Sequence, residues 1–152
     1  MTRVMKFRPG LRGVAAIGVL GALLAVGSAR AQALPNPMEQ EILVKTTLLT
    51  FNDANVTGNY AVLNAKLSKP FRDQFDADKL KTTFKDFVDK HVDIGVIAAK
   101  PIVPTGDAQI DSNGVLQLGG HFDTTPKKVN YQLQFIRSEG EWKAFGIHVD
   151  IN

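Results

Sequence analysis

Apolar residues recur every three or four positions over the first part of the mature chain and alternate, or cluster as β-branched runs, over the second. Helices are therefore expected first and strands after. Asn36-Pro37-Met38-Glu39 supplies a capping side chain, a proline at the first helical position and a glutamate at the third, which together mark a helix start. That helix is expected to run to about Phe51, with Met38, Ile42, Leu48, Leu49 and Phe51 as its buried stripe and Glu39, Gln40, Lys45 and Thr46 in water. After residues 52–58, read as a turn, a second helix is expected around Tyr60, Val62, Leu63 and Leu67 and a short third one over residues 70–75. Asp76 caps a fourth, whose Leu80, Phe84, Phe87 and Val88 share one face.

The strands follow. Residues 92–98 form a β-branched run without helical period, and Pro101 and Pro104 interrupt what comes next. Asp111-Ser-Asn-Gly114 punctuates a hairpin between residues 105–110 and 115–123, and Thr124-Thr-Pro126-Lys-Lys breaks the chain again. The last pair, residues 129–137 and 141–151, is expected around a three-residue loop, Ser138-Glu139-Gly140. Counting back from that loop sets Leu133 against Phe145, Tyr131 against Ile147 and Asn130 against His148, with Ile136 and Trp142 paired on the outer face. Gly119-Gly120 in mid-strand suggests a bulge or bend. The fold class expected is α+β: N-terminal helices packed on a curved antiparallel sheet of four to five strands, in a cone-like layout.

The first 33 residues change the charge argument. A basic segment with Arg3, Lys6, Arg8 and Arg12 leads into an apolar run to Ala29, and Ala31-Gln32-Ala33 offers a small-x-small cleavage site. The domains expected are thus a signal peptide over 1–33, cleaved after Ala33 or else after Ala31, and a single domain over 34–152 acting in a bacterial periplasm or outside the cell. Against an uncleaved anchor stands the length of the run, short of the roughly 20 residues a spanning helix needs. The chain's formal charge is +3, but the leader carries five of the 18 basic residues and none of the 15 acidic ones. Thirteen basic against fifteen acidic residues remain, a net charge of −2, which disfavours nucleic acid as a partner. The absence of cysteine removes disulfides, thiolate catalysis and lipid attachment.

Within this pattern, the first helix, the stretch Asn59-Tyr60-Ala61-Val62-Leu63 through Phe75, the Phe84/Phe87 helix and the closing Trp142-Lys143-x-x-Gly146-Ile147 strand resemble the nuclear transport factor two-like, or SnoaL-like, superfamily, and the last motif its small exported members. The resemblance implies helices against a curved sheet with a pocket between them, and frequently a dimer through the outer sheet face. It implies no single chemistry.

A pocket lined by some of Tyr60, Phe84, Phe87, Phe122, Tyr131 and Phe135 is expected, although nine phenylalanines could equally fill the space. An isomerase would need a carboxylate base and a donor inside it. The inward strand positions offer Tyr131 as donor and no acid or histidine, so no catalytic residues are assigned. His121 and His148 fall on outward faces and His91 at a helix end, too few together for a metal site. No cofactor is implied, since phosphate-cradling glycine loops, nucleophile elbows and His-Glu-x-x-His are missing. The expected function is a non-catalytic exported domain that binds a small apolar ligand or a periplasmic protein, with a small isomerase or lyase as the alternative. The outer face with Trp142, Ile136 and His148 is expected either to form a homodimer or to be solvated.

Overall fold

The computed structural model describes residues 32–152, so the expected leader lies, but for its last two residues, outside the described part. The first helix, α1 (Pro37–Thr57), begins where the sequence indicates. The Asn36 side chain accepts from the Glu39 N–H at 3.0 Å, and the Glu39 carboxylate accepts from the Asn36 N–H at 2.8 Å. It does not end near Phe51 but six residues later, at Thr57, and is closed by Gly58, whose φ of 67° suits a residue without Cβ. Its buried face is Val44, Leu48, Phe51 and Asn55, spaced by three and four, while Met38 and Ile42 are 73% and 56% exposed. The extension has a chemical cause. Asn52 and Asn55 would favour a turn in isolation, but here both are buried and bonded to partners outside the helix. Asn52 Nδ2 donates to Asp93 at 2.9 Å and its Oδ1 accepts from the Ile94 N–H at 2.7 Å, while Asn55 accepts from the Tyr60 hydroxyl. Side chains so engaged no longer compete for the helix backbone.

Next come α2 (Ala61–Lys66) and α3 (Lys69–Arg72), and the expected fourth helix proves to be two, α4 (Ala77–Thr83) and α5 (Lys85–Asp89), parted at Phe84. Asp76 caps α4 by accepting from the Lys79 N–H at 2.8 Å. Residues 92–98, expected as a strand, form a loop and the 3-10 turn Gly95–Ala99. There Asp93 accepts from the Gly95 N–H at 2.8 Å and Asn52 takes the Ile94 N–H, so local and helix-borne acceptors occupy the donors a sheet would have used.

The sheet has five strands: β1 (Val103–Pro104), β2 (Gln109–Ile110), β3 (Leu116–Phe122), β4 (Val129–Ser138) and β5 (Glu141–Ile151). Their order is β1-β3-β4-β5, with β2 also on β3, and every pairing is antiparallel. The architecture is α+β, an open antiparallel sheet with helices before it. Leu116, Phe122, Leu133 and Phe135 from the sheet and Val44, Leu48 and Phe51 from α1 share one core.

The β3–β4 register runs unbroken past Gly119 and Gly120, so no bulge lies there. Gly120 instead allows close approach: a Cβ on it would stand 2.5 Å from the Tyr131 hydroxyl and 2.6 Å from the Val103 carbonyl. The irregularity is in β5. The hairpin turns on two residues, Glu139 and Gly140, with φ of 56° and 86°, and pairs Ser138 with Glu141. Phe135 then meets Ala144 and Gln134 meets Gly146, which leaves Phe145 as the extra residue of a bulge. The shorter turn and the bulge together move the register by two. Leu133 faces Ile147, Tyr131 faces Val149, and His148 faces Gln132, in place of the expected Phe145, Ile147 and Asn130 partners. A shift of two leaves every inward residue inward beyond the bulge, which is why the faces were predictable and the partners were not. On the hairpin side the parity inverts. Trp142 pairs with Arg137 and packs toward the core, while Ile136 pairs with Lys143 on the opposite face, so the expected outer Ile136–Trp142 pair does not form.

Candidate functional site

The inverted parity of β5 builds the site. Ser68 N–H donates to the Ala144 carbonyl at 2.9 Å and Lys69 N–H to the Ser138 hydroxyl at 3.0 Å, which docks the α2–α3 linker on the hairpin. Glu139 is gripped from both sides, by Lys143 at 2.6 Å and Arg72 at 3.1 Å, and both cations hold its carboxyl below the usual carboxylate range. With the hairpin anchored, Trp142 and Ala144 face α1 across a cleft of about 420 Å³. Its walls include Ile42, Leu43, Leu63, Leu67 and Phe135 together with the polar residues Thr46, Thr47, Thr50, Lys66, Glu141 and Lys143; among these Lys66 Nζ donates to the Thr50 hydroxyl at 3.2 Å, and that hydroxyl donates to the Thr46 carbonyl at 2.8 Å. The Arg137 guanidinium lies 4.6 Å from the centre of the Trp142 ring system, a cation–π contact on the neighbouring strand. The indole N–H of Trp142 is buried without a hydrogen-bond partner among the described residues. A second cleft, of about 490 Å³, adjoins through Ile42, Leu43, Glu141 and Trp142 and extends to Leu34 and Pro35.

The six residues, some of which are expected to line a pocket, do not come together in any one of these clefts. Tyr60, Phe122, Tyr131 and Phe135 are no more than 3% exposed and serve the core. The Tyr60 ring stacks on Phe84, while Phe84 and Phe87 stand edge-on to Phe51 at 4.8 and 5.2 Å. Phe51, read from the sequence only as part of a stripe, is thus the hub of this aromatic group. Phe135 reaches the Trp142 cleft, and Phe87 reaches another, of about 560 Å³, between α5, the loop after it and the end of β5. Tyr131 borders a crevice of about 10 Å³, room for one water at most. Burial, helped by the nearby Glu41 charge, pushes its hydroxyl up to about 12. Sequence reasoning missed Glu41 as a carboxylate near Tyr131 because it sits on α1, outside the strand faces that were searched.

The groups around the 560 Å³ cleft include Asp86, Lys90, Asp93 and Asp150. Hydrogen bonds from the Gly95 N–H and the Asn52 amide hold the Asp93 carboxyl below its ordinary range, so it is a fixed anion and a poor proton shuttle. His121 lies 3.4 Å from Asp123 on the outer side of β3, and no three His, Asp or Glu side chains converge as metal ligands among the described residues. No described helix is long and apolar enough to cross a membrane. No family model matches this sequence, and neither does any curated protein or solved structure.

Proposed function

We propose that the protein is an exported, non-catalytic binding domain whose Trp142 cleft takes a small, mainly apolar ligand with one acceptor group. The carrying observation is the composition of that cleft: aliphatic and aromatic walls from α1, α2, β4 and β5, with a bonded cluster at Lys66, Thr50 and Thr46 beside the further polar residues Thr47, Glu141 and Lys143. Export is supported by the basic-then-apolar order of the leader, and kinship with the nuclear transport factor two-like superfamily by helices preceding a meander of strands. An isomerase or lyase would draw on Tyr131 with Glu41, but the crevice that Tyr131 borders leaves no room for a substrate.

Trp142 is the chain's single tryptophan, so its fluorescence reports on the cleft directly. Titration with dodecanoate is expected to change the emission saturably. Lys66→Met should weaken dodecanoate about tenfold while leaving 1-dodecanol little changed, as expected when a charge-assisted hydrogen bond is lost. Emission indifferent to both probes up to millimolar concentration would remove the reading.

A further inference from the structure

The far end of β5 is an unfinished edge. Ser68 closes the outer side of the strand at Ala144, and the bulge at Phe145 follows. Beyond it Lys128 and Asn152 exchange both backbone hydrogen bonds, at 2.8 and 3.3 Å. In an antiparallel ladder bonded pairs alternate, so with this register Asp150, His148 and Gly146 turn their backbone groups to β4. Ile147, Val149 and Ile151 therefore present N–H and C=O outward, and no described residue outside the ladder pairs with them. From Gly146 to Ile151 the stretch has no proline, no lysine and no further bulge, and Asp150 is its one charged side chain.

From this edge we infer that the protein dimerises by antiparallel pairing of β5 with β5 of a second copy, the two-fold axis passing at Val149. The pattern is self-complementary at three levels. Val149 meets its own copy and Ile147 meets Ile151 of the second copy, so every outward N–H and C=O of the three residues finds a partner. On the helix-side face this joins aliphatic side chains that are only half-buried in the single chain. On the opposite face His148 lands across from Asp150 of the second copy, and Asp150 across from His148, both exposed in the single chain. A two-fold axis at His148 or Asp150 would instead set like side chains against each other. The inference does not rest on the Trp142 cleft, which lies on the other side of the Phe145 bulge. It replaces the outer face by the strand edge as the place where His148 contributes to association.

Sedimentation velocity of the purified protein from about 1 to 300 μM, a span that brackets weak and moderate association, should reveal a concentration-dependent dimer. His148→Asp sets carboxylates against each other across the axis and Asp150→Lys removes the carboxylate that faces each imidazole, and each should weaken the dimer about tenfold through its two symmetry-related pairs. The double substitution sets a carboxylate against an ammonium and should return the affinity to within about threefold of wild type, which separates a lost contact from a failed fold. Amide hydrogen exchange reads the pairing itself: Ile147, Val149 and Ile151 should exchange fast in dilute protein and slowly in the dimer. A protein monomeric throughout overturns the inference, as does a dimer indifferent to the single changes, a double variant no better than either single one, or a dimer in which those three amides stay fast.

Discussion

Leu133 and Ile147 stand opposite each other on neighbouring strands and point to the same side of the sheet, yet Leu133 is 1% exposed and Ile147 only half-buried. The contrast holds along both strands. The inward residues of β3 and β4 are backed by α1 and sealed, while those at the end of β5 face a cleft and an open edge. Packing that is closed on all sides resists change because a neighbour has nowhere to move. Packing open on one side costs less to disturb and leaves surface for a partner. Stability is thus concentrated at the α1–β3–β4 junction, and accessible apolar surface along β5.

The sharpest way to break this comparison is to truncate both members of the pair. Leu133→Ala should cost about 2–5 kcal/mol and Ile147→Ala only about 1 kcal/mol, because the second side chain leaves less apolar surface unpacked. Urea denaturation of the two variants gives the difference, and equal losses would mean that the β5 end is as closed as the centre. Gly120→Ala probes the closed half by overfilling it. Its new methyl must displace the Tyr131 hydroxyl and the Val103 carbonyl, and a loss of about 1–3 kcal/mol is expected, partly recovered when Tyr131→Phe is added. A neutral Gly120→Ala in the same denaturation assay would show that β1 and Tyr131 yield freely.

The smallest effect lies at the cleft rim. Asp93 is mostly exposed and its carboxyl is held below the ordinary value of 3.8, so its pH-linked stabilisation is full above that value and lost as pH falls through the depressed folded-state value. Solvent screening keeps this contribution below about 1 kcal/mol. Thermal unfolding of wild type and Asp93→Ala should therefore differ more at pH 7 than at pH 2, and a constant difference would show that the charge of Asp93 contributes nothing.

What the sequence revealed follows the range of the interactions. The start of α1 was legible because the capping box closes within Asn36 to Glu39. The continuation of α1 past Phe51 was not, since Asn52 and Asn55 depend on Asp93, Ile94 and Tyr60, which only the fold brings near. The same contacts turned residues 92–98 from an apparent strand into a loop. Alternation along β4 and β5 gave the inward faces beyond the bulge, but a pattern of period two cannot distinguish registers two residues apart. The candidate site was the least legible part: its central residue, Trp142, faces α1 only because Phe145 is skipped in the ladder.

That skipped residue also sets how the strand can vary in length. The two segments of β5 are out of phase by one position, and Phe145 absorbs the mismatch. Deleting it would join them in a single phase with Trp142 and the row Ile147, Val149 and Ile151 all still facing inward, because the Phe135–Ala144 and Gln134–Gly146 pairs would become consecutive rungs. A deletion at Phe145 therefore keeps both surfaces, whereas a single deletion within either paired segment of the strand swaps one of them.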